Sequence, residues 1–306
     1  MKRFVCVFII GILLCLSGCE SHTRETLFAM DTVMELQIWG KDADKANENI
    51  RTGILKNEKN WSVTGKNLNA LNQGEPLAYT YQHVADRALE LKTRTDGAFD
   101  PQLRAAVAAW GFYDKQYQVP AQEQLEKALA EKKWDLGGLI KGYTADQCVI
   151  ELKKWNVDRA ILNLGGNIQT YGSKPDGTPW SIGIQDPNGG NYLGVVSVVG
   201  TMAVVTSGDY QRYFEKDGVR YHHILDPETG VPADSGLRSV TVICRDGLTA
   251  DGLSTALFVM GLEKGSQFWR QSDDFEAVFV TTDGKLFATE GAKLSGCEYE
   301  VIAREN

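Results

Sequence analysis

The sequence predicts an α+β fold, and two observations carry that reading. Amphipathic helical periodicities cluster in the first half of the chain, whereas short runs with β alternation dominate the second. The two patterns do not alternate as they would in a doubly wound parallel sheet. Helices from the N-terminal half should therefore pack on a mixed or antiparallel sheet built mainly from the C-terminal half. With 43% hydrophobic and 24% charged residues the chain has an ordinary globular composition, and its length supports a substantial core.

The first 18 residues stand apart. Met1-Lys2-Arg3 is a basic start and residues 4–16 are almost wholly apolar. That stretch is shorter than the roughly 20 residues of a membrane span but suits a secretory signal. Leu16-Ser17-Gly18-Cys19 resembles the lipobox of bacterial lipoproteins, in which the cysteine is acylated and becomes the mature N-terminus. The expected organisation is a lipoprotein signal over 1–18, lipidated Cys19 with a polar tether over 19–26, and one domain over 27–306. It implies export and a lipid anchor holding the protein to the cell membrane, outside the cytoplasm.

Within the domain, residues 26–39 alternate as a strand, with Val33, Leu36 and Ile38 apolar. Residues 44–56 and 81–95 read as amphipathic helices, the second closing at Asp96-Gly97. Residues 121–133 form a further helix, and Asp135-Leu-Gly-Gly138 leads into another over about 140–155. Strands follow at 160–163, 180–185, 195–199, 238–244, 276–281 and 285–288. A helix over 253–260 interrupts them, with Leu253, Leu257 and Met260 on one face.

Charge and cysteine usage narrow the function classes. The chain carries a net charge of −8, and cleavage of the signal removes two positive charges, Lys2 and Arg3. A chain that acidic, with no basic stripe, is not built for nucleic acid. Beyond Cys19 only Cys148, Cys244 and Cys297 remain, widely spaced and without a C-x-x-C pair, so neither a disulfide framework nor a thiolate metal site is expected.

Two tracts concentrate the chemistry. Tyr221-His222-His223-Ile224-Leu225-Asp226-Pro227-Glu228-Thr229-Gly230 carries an imidazole pair and a carboxylate fixed in a turn by Pro227. Adjacent residues on a strand point to opposite faces, so the two imidazoles do not chelate one metal together. One is expected to be structural, the other an acid, a base or a phosphate contact. Asp251-Gly-Leu-Ser254-Thr255 is the second tract. Asp251 and Thr255 lie one helical turn apart on one face, which suits either a helix N-cap or half of an oxygen-ligand Mg²⁺ site. Asp135-Leu-Gly137-Gly138-Leu-Ile-Lys141-Gly142 sets a carboxylate, bare backbone and a lysine around a helix start, where phosphate is favoured, although a plain turn and cap would read the same. Leu164-Gly165-Gly166-Asn167 is a sharp turn and fits neither a dinucleotide-binding nor a P-loop pattern.

Taken in order, these pieces resemble the ApbE family of FAD:protein FMN transferases, over about residues 28–261. The resemblance rests on Ala29-Met30-Asp31-Thr32-Val33-Met34, Gly97-Ala98-Phe99-Asp100-Pro101 followed by Trp110-Gly111-Phe112, and residues 135–143 with Asp146 beyond. Asn163-Leu164-Gly165-Gly166-Asn167, residues 206–210 (T-S-G-D-Y) and the two tracts above complete the set. The resemblance implies a single T-fold-like domain. It implies a Mg²⁺ held by the backbone of Gly138 and by Asp251, Ser254 and Thr255, although many relatives carry Asp where this chain has Ser254. It implies flavin contacts at Met30, Ala98, Phe99, Asp100, Asp135, Lys141 and Ile224, and His223 as the group that positions or deprotonates an incoming hydroxyl.

The implied reaction is transfer of FMN from FAD to a Ser or Thr hydroxyl of a partner, a subunit of a membrane redox complex, with release of AMP. Such chemistry relies on positioning and on neutralising phosphate oxygens. Two other readings stay open on the sequence: an FAD pyrophosphatase giving FMN and AMP, and a flavin-binding lipoprotein without turnover. A complete cation set argues against the last, because binding alone needs no metal aimed at a pyrophosphate.

Overall fold

The computed structural model describes residues 21–304. The signal sequence and Cys19 lie outside the described residues. The strands are β1 His22–Ala29, β2 Thr32–Trp39, β3 Arg159–Asn163, β4 Asn167–Tyr171, β5 Trp180–Gln185, β6 Tyr192–Val198, β7 Met202–Gly208, β8 Tyr213–Lys216, β9 Val219–His222, β10 Leu237–Cys244, β11 Phe275–Thr281, β12 Leu286–Thr289, β13 Leu294–Ser295 and β14 Glu300–Ile302. The helices are α1 Ala43–Trp61, α2 Lys66–Gln73, α3 Tyr79–Arg94, α4 Arg104–Ala109, α5 Gln122–Ala130, α6 Ile140–Leu152 and α7 Gly247–Arg270. Helices lead and strands follow, as the α+β reading expects.

Nine strands form one sheet in the order β1-β2-β3-β4-β7-β10-β11-β12-β14, antiparallel except for the parallel β12–β14 pair. Three layers result. On one face α7 lays Leu253 and Leu257 against Val205, Val240, Val242 and Phe279, while α1 and α6 cover Leu36, Ile38, Ala160 and Leu162. On the other face the small β13-β6-β5 sheet packs Trp180, Ile182 and Val196 against Val204, Ile243 and Val280. The central strands β7 and β10 are thus covered on both sides, and most of their residues are buried.

Three local expectations change. The stretch read as one strand over 26–39 is a hairpin, turned at Met30 and Asp31, whose φ values of 51° and 59° are left-handed. Two consecutive residues at positive φ are what a two-residue type I′ turn requires. Residues 22–26, expected as tether, belong to β1, paired from His22↔Trp39 onward. The helix expected over 253–260 starts at Gly247 and runs to Arg270, with a kink at Gly261 (φ 78°, ψ 177°).

Helices α6 and α7 cross at a distance that only glycine permits. A Cβ on Gly142 would lie 2.0 Å from the Gly247 carbonyl oxygen. At that crossing each helix caps the other. Asp146 of α6 accepts hydrogen bonds from Gly247 N (2.7 Å) and Leu248 N (2.9 Å) at the start of α7. Asp251 of α7 accepts one from Gly142 N (2.8 Å) in the first turn of α6. Each carboxylate meets the positive end of its neighbour's dipole.

Candidate active site

A cleft of about 730 Å³ opens where the first turn of α6, the β1–β2 turn, the loop before α4 and the β9–β10 connection converge. Met30, Ala98, Phe99, Asp100, Asp135, Lys141 and Ile224 all line it, as do Gly138, Thr255 and His223. Asp251 and Ser254 sit behind the lining, 6% and 0% exposed. A second depression, between α4 and α5, is lined by alanines and surface charges and gathers none of the motif residues.

The floor is the start of α6 and the adjacent turn of α7. Asp251 is not the N-cap of its own helix; Asp246 is, accepting from Thr249 N at 2.8 Å. Asp251 Oδ2 instead accepts from Gly142 N and from Asn167 Nδ2 (3.0 Å). Burial raises its pKa, while Lys141 and these donors pull it back down. Thr255 Oγ1 lies 3.6 Å from where a Gly138 Cβ would stand, and 3.3 Å from Ser207 Oγ. Lys141 Nζ donates to the Gly165 carbonyl at 3.4 Å, so the Gly165–Gly166 turn forms part of the same wall. That turn is held by Asn163 Oδ1, which accepts from both glycine amides at 3.1 Å.

Ser254 is buried behind the cleft lining, as Asp251 is. Its hydroxyl donates to the Asp251 carbonyl (2.8 Å) and meets Ser207 Oγ (2.8 Å), fully buried beneath the floor. Ser207 Oγ links it to Thr255 Oγ1 (3.3 Å), and Ser254 is not among the residues lining the cleft.

The donor chemistry fits a hard divalent cation. One carboxylate, one threonine hydroxyl and glycine backbone converge here, and the buried Asn167 Oδ1 beside Asp251 has no partner among the described residues. Nowhere among the described residues do three His, Cys, Asp or Glu side chains group as a metal site. Mg²⁺, which takes one or two carboxylates and completes its shell with substrate phosphates, suits this set of oxygen donors.

The two adjacent histidines part as strand geometry requires. His222 turns into the core, edge-on to Phe258, its Nε2 donating to the Ala233 carbonyl at 3.2 Å. Burial lowers its pKa. His223 turns to the cleft, where its Nδ1 meets the Arg212 carbonyl at 3.2 Å. A carbonyl only accepts, so Nδ1 carries the proton and Nε2 keeps a lone pair. Burial among the cleft walls, with Arg212, His222 and Lys141 nearby, lowers the His223 pKa to about 3. This shift favours the neutral form of the ring.

Asp100 and Asp135 are anchored carboxylates. Asp100 pairs with Lys92 Nζ (2.7 Å) and accepts from Gln102 N (2.9 Å). Asp135 accepts from Gly137 N (2.7 Å) and from the Tyr113 hydroxyl (2.5 Å). Burial, then Asp135, push the Tyr113 pKa upward, so this phenol stays a donor. Asp226 Oδ1 accepts from Glu228 N (2.8 Å) and Thr229 N (3.2 Å), the turn expected around Pro227.

Among the lining residues not anticipated as site residues are Asp31, Glu58, Tyr113 and Arg212. Glu58 Oε1 accepts from Met30 N at 2.7 Å and holds the hairpin turn from behind. Tyr113 directly follows the Trp110-Gly111-Phe112 tract and Asp31 sits inside the first motif, so both lay next to a signal. Glu58 and Arg212 had none.

Comparisons with known proteins point to one family. A model of the ApbE family matches residues 30–279. The chain is 31% identical to the FAD:protein FMN transferase of Treponema pallidum, over 95% of this chain and 96% of that protein. It is 32% identical to that of Vibrio cholerae, over 83% and 86%. The crystal structure of the ApbE protein of Thermotoga maritima superposes with a TM-score of 0.81 at 32% identity, covering 89% of this chain and 98% of that one. The apo flavinyl transferase ApbE of Pseudomonas stutzeri gives 0.76 at 29% identity, over 87% and 93%.

Proposed function

The chain belongs to the ApbE family, and on that premise we propose that it is an FAD:protein FMN transferase acting in the cleft just described. FAD lies along the cleft with its pyrophosphate over the floor. A Ser or Thr hydroxyl of an acceptor protein attacks the FMN-side phosphorus. A new P–O bond to the acceptor forms, the P–O bond to AMP breaks, and AMP leaves with the bridging oxygen. His223 Nε2 receives the hydroxyl proton and returns it to solvent or product. Lys141 sets a positive charge beside the transferring phosphoryl group. Met30, Ala98 and Ile224 offer apolar contact to the rings. Gly138, Asp251 and Thr255 would hold Mg²⁺, which when bound neutralises phosphate oxygens.

One observation carries this reading: a histidine held by the Arg212 carbonyl, a lysine and a set of hard oxygen donors meet at one cleft large enough for a dinucleotide. We further propose that Cys19 carries the lipid anchor. The first strand begins at His22, so the anchor would hold the domain near a membrane and near acceptor subunits of membrane redox complexes.

Asp251→Asn tests the cation assignment. It keeps an oxygen to accept from Gly142 N, so the melting temperature should change little. Mg²⁺-dependent consumption of FAD should fall by about 10²-fold or more. Turnover at the parental rate would remove Asp251 from the cation site.

A further inference from the structure

Two cations line the cleft, Lys141 and Arg212, against four carboxylates, Asp31, Glu58, Asp100 and Asp135. Three of the carboxylates are engaged by the fold: Glu58 holds Met30 N, Asp100 holds Lys92, and Asp135 holds Tyr113 and Gly137. Asp31 differs. It stands at the tip of the β1–β2 hairpin with its side chain 79% exposed, and it pairs with Arg212 Nη2 at 2.8 Å. Arg212 is itself 48% exposed. An ion pair that open to water contributes little to stability, and it joins two separate walls of the cleft.

Arg212 is also tied to the reacting centre. Its carbonyl accepts from both His223 N (3.1 Å) and His223 Nδ1 (3.2 Å). The same residue thus fixes the tautomer of the proposed base and presents a guanidinium at the cleft surface. Guanidinium binds phosphate oxygens through two parallel hydrogen bonds, a stronger and more directional match than a solvated carboxylate partner. Lys141, the other cation, faces Asp251 and the Gly165 carbonyl on the floor, so a pyrophosphate lying across the cleft leaves its outer oxygens to Arg212.

We propose that Arg212 is a pyrophosphate-binding residue that Asp31 holds in reserve: when the dinucleotide binds, the guanidinium exchanges the Asp31 carboxylate for phosphate oxygens. The exchange makes and breaks only ion pairs, and it leaves the carbonyl of Arg212 on His223. It rests on reading the cleft as a dinucleotide site, and it assigns Asp31 an opposing role as internal competitor.

The two residues therefore have opposite signs, which a structural salt bridge would not give. The test is equilibrium titration of the full chain with FAD and, in parallel, with riboflavin, which lacks the pyrophosphate. Mg²⁺ is present, acceptor is absent, and chromatography verifies that FAD stays intact. Arg212→Gln should weaken FAD about tenfold or more and leave riboflavin unchanged. Arg212→Lys, which keeps the charge but loses the fork, should fall between. Asp31→Asn should tighten FAD about two- to fivefold. Asn tolerates the left-handed φ of 59° at this turn, so folding is not at issue, and melting curves verify it for all three. FAD affinity unchanged in Arg212→Gln, weakened in Asp31→Asn, or lost equally with riboflavin affinity would overturn the proposal. A parental chain that binds no FAD would instead overturn the dinucleotide reading itself.

Discussion

The floor and the rim of the cleft are held by opposite kinds of interaction. On the floor, Asp251 is 6% exposed, hydrogen-bonded to Gly142 N and Asn167, and set where two helices cap each other. On the rim, Asp31 and Arg212 pair directly at 2.8 Å, with side chains 79% and 48% exposed. Breaking a buried charge's hydrogen bonds is expensive because no water replaces them, whereas a solvated pair exchanges partners at small cost. On the proposed reading, the floor stays fixed around phosphate and cation, and the rim rearranges when the dinucleotide arrives.

The floor breaks most completely at the helix crossing. Gly142→Ala puts a Cβ 2.0 Å from the Gly247 carbonyl oxygen, a backbone atom that cannot move aside. The expected loss is about 3 kcal/mol or more, read as a large drop in melting temperature together with loss of activity. An alanine variant as stable as the parent would mean that the α6–α7 crossing has room the geometry denies.

His223 stands between the two regions and gives the next effect. His223→Gln should slow transfer by about 10²- to 10⁴-fold while FAD affinity stays near the parental value. Equal losses in rate and affinity would make His223 a binding residue only.

The smallest effect is on titration. The folded-state pKa of His223 is lowered to about 3 from an ordinary 6.5. Between those values the unfolded chain takes up a proton that the folded chain refuses. His223 therefore contributes stability that is present above pH 6.5 and lost as the pH falls toward 3. Its ring proton resonances should not titrate between pH 8 and 5, and the stability of His223→Gln should fall less on acidification. A His223 titration near 6.5 would contradict the burial of that ring.

Much of the site was legible because its residues come in short tracts whose local chemistry is fixed by neighbours in sequence. Ala98-Phe99-Asp100, Asp135 to Lys141 and His223-Ile224 each reach the cleft as a unit. What could not be read depends on contacts between distant segments. The capping partner of Asp251 lies 109 positions away, so its role at α6 is invisible in its own tract. The partner of Ser254, Ser207 on β7, lies 47 positions away and is equally invisible in its tract. The hairpin at Met30-Asp31 was hidden because the alternation of residues 26–39 continues through a turn with neither Gly nor Pro. Strand β7 escaped notice because it is buried on both faces and its apolar run has no alternation to detect. The start of α7 was missed for the related reason that nearly every residue from Gly247 to Ser254 is buried.

The central claim is that one cleft transfers FMN from FAD to a protein hydroxyl. The most direct measurement is the stoichiometry of products when the full chain, FAD, Mg²⁺ and a candidate acceptor subunit are incubated together. The account predicts one AMP released for each FMN found covalently on an acceptor Ser or Thr. Free FMN with AMP and an unmodified acceptor would show a pyrophosphatase, intact FAD would show a flavin-binding protein, and either result would contradict the account.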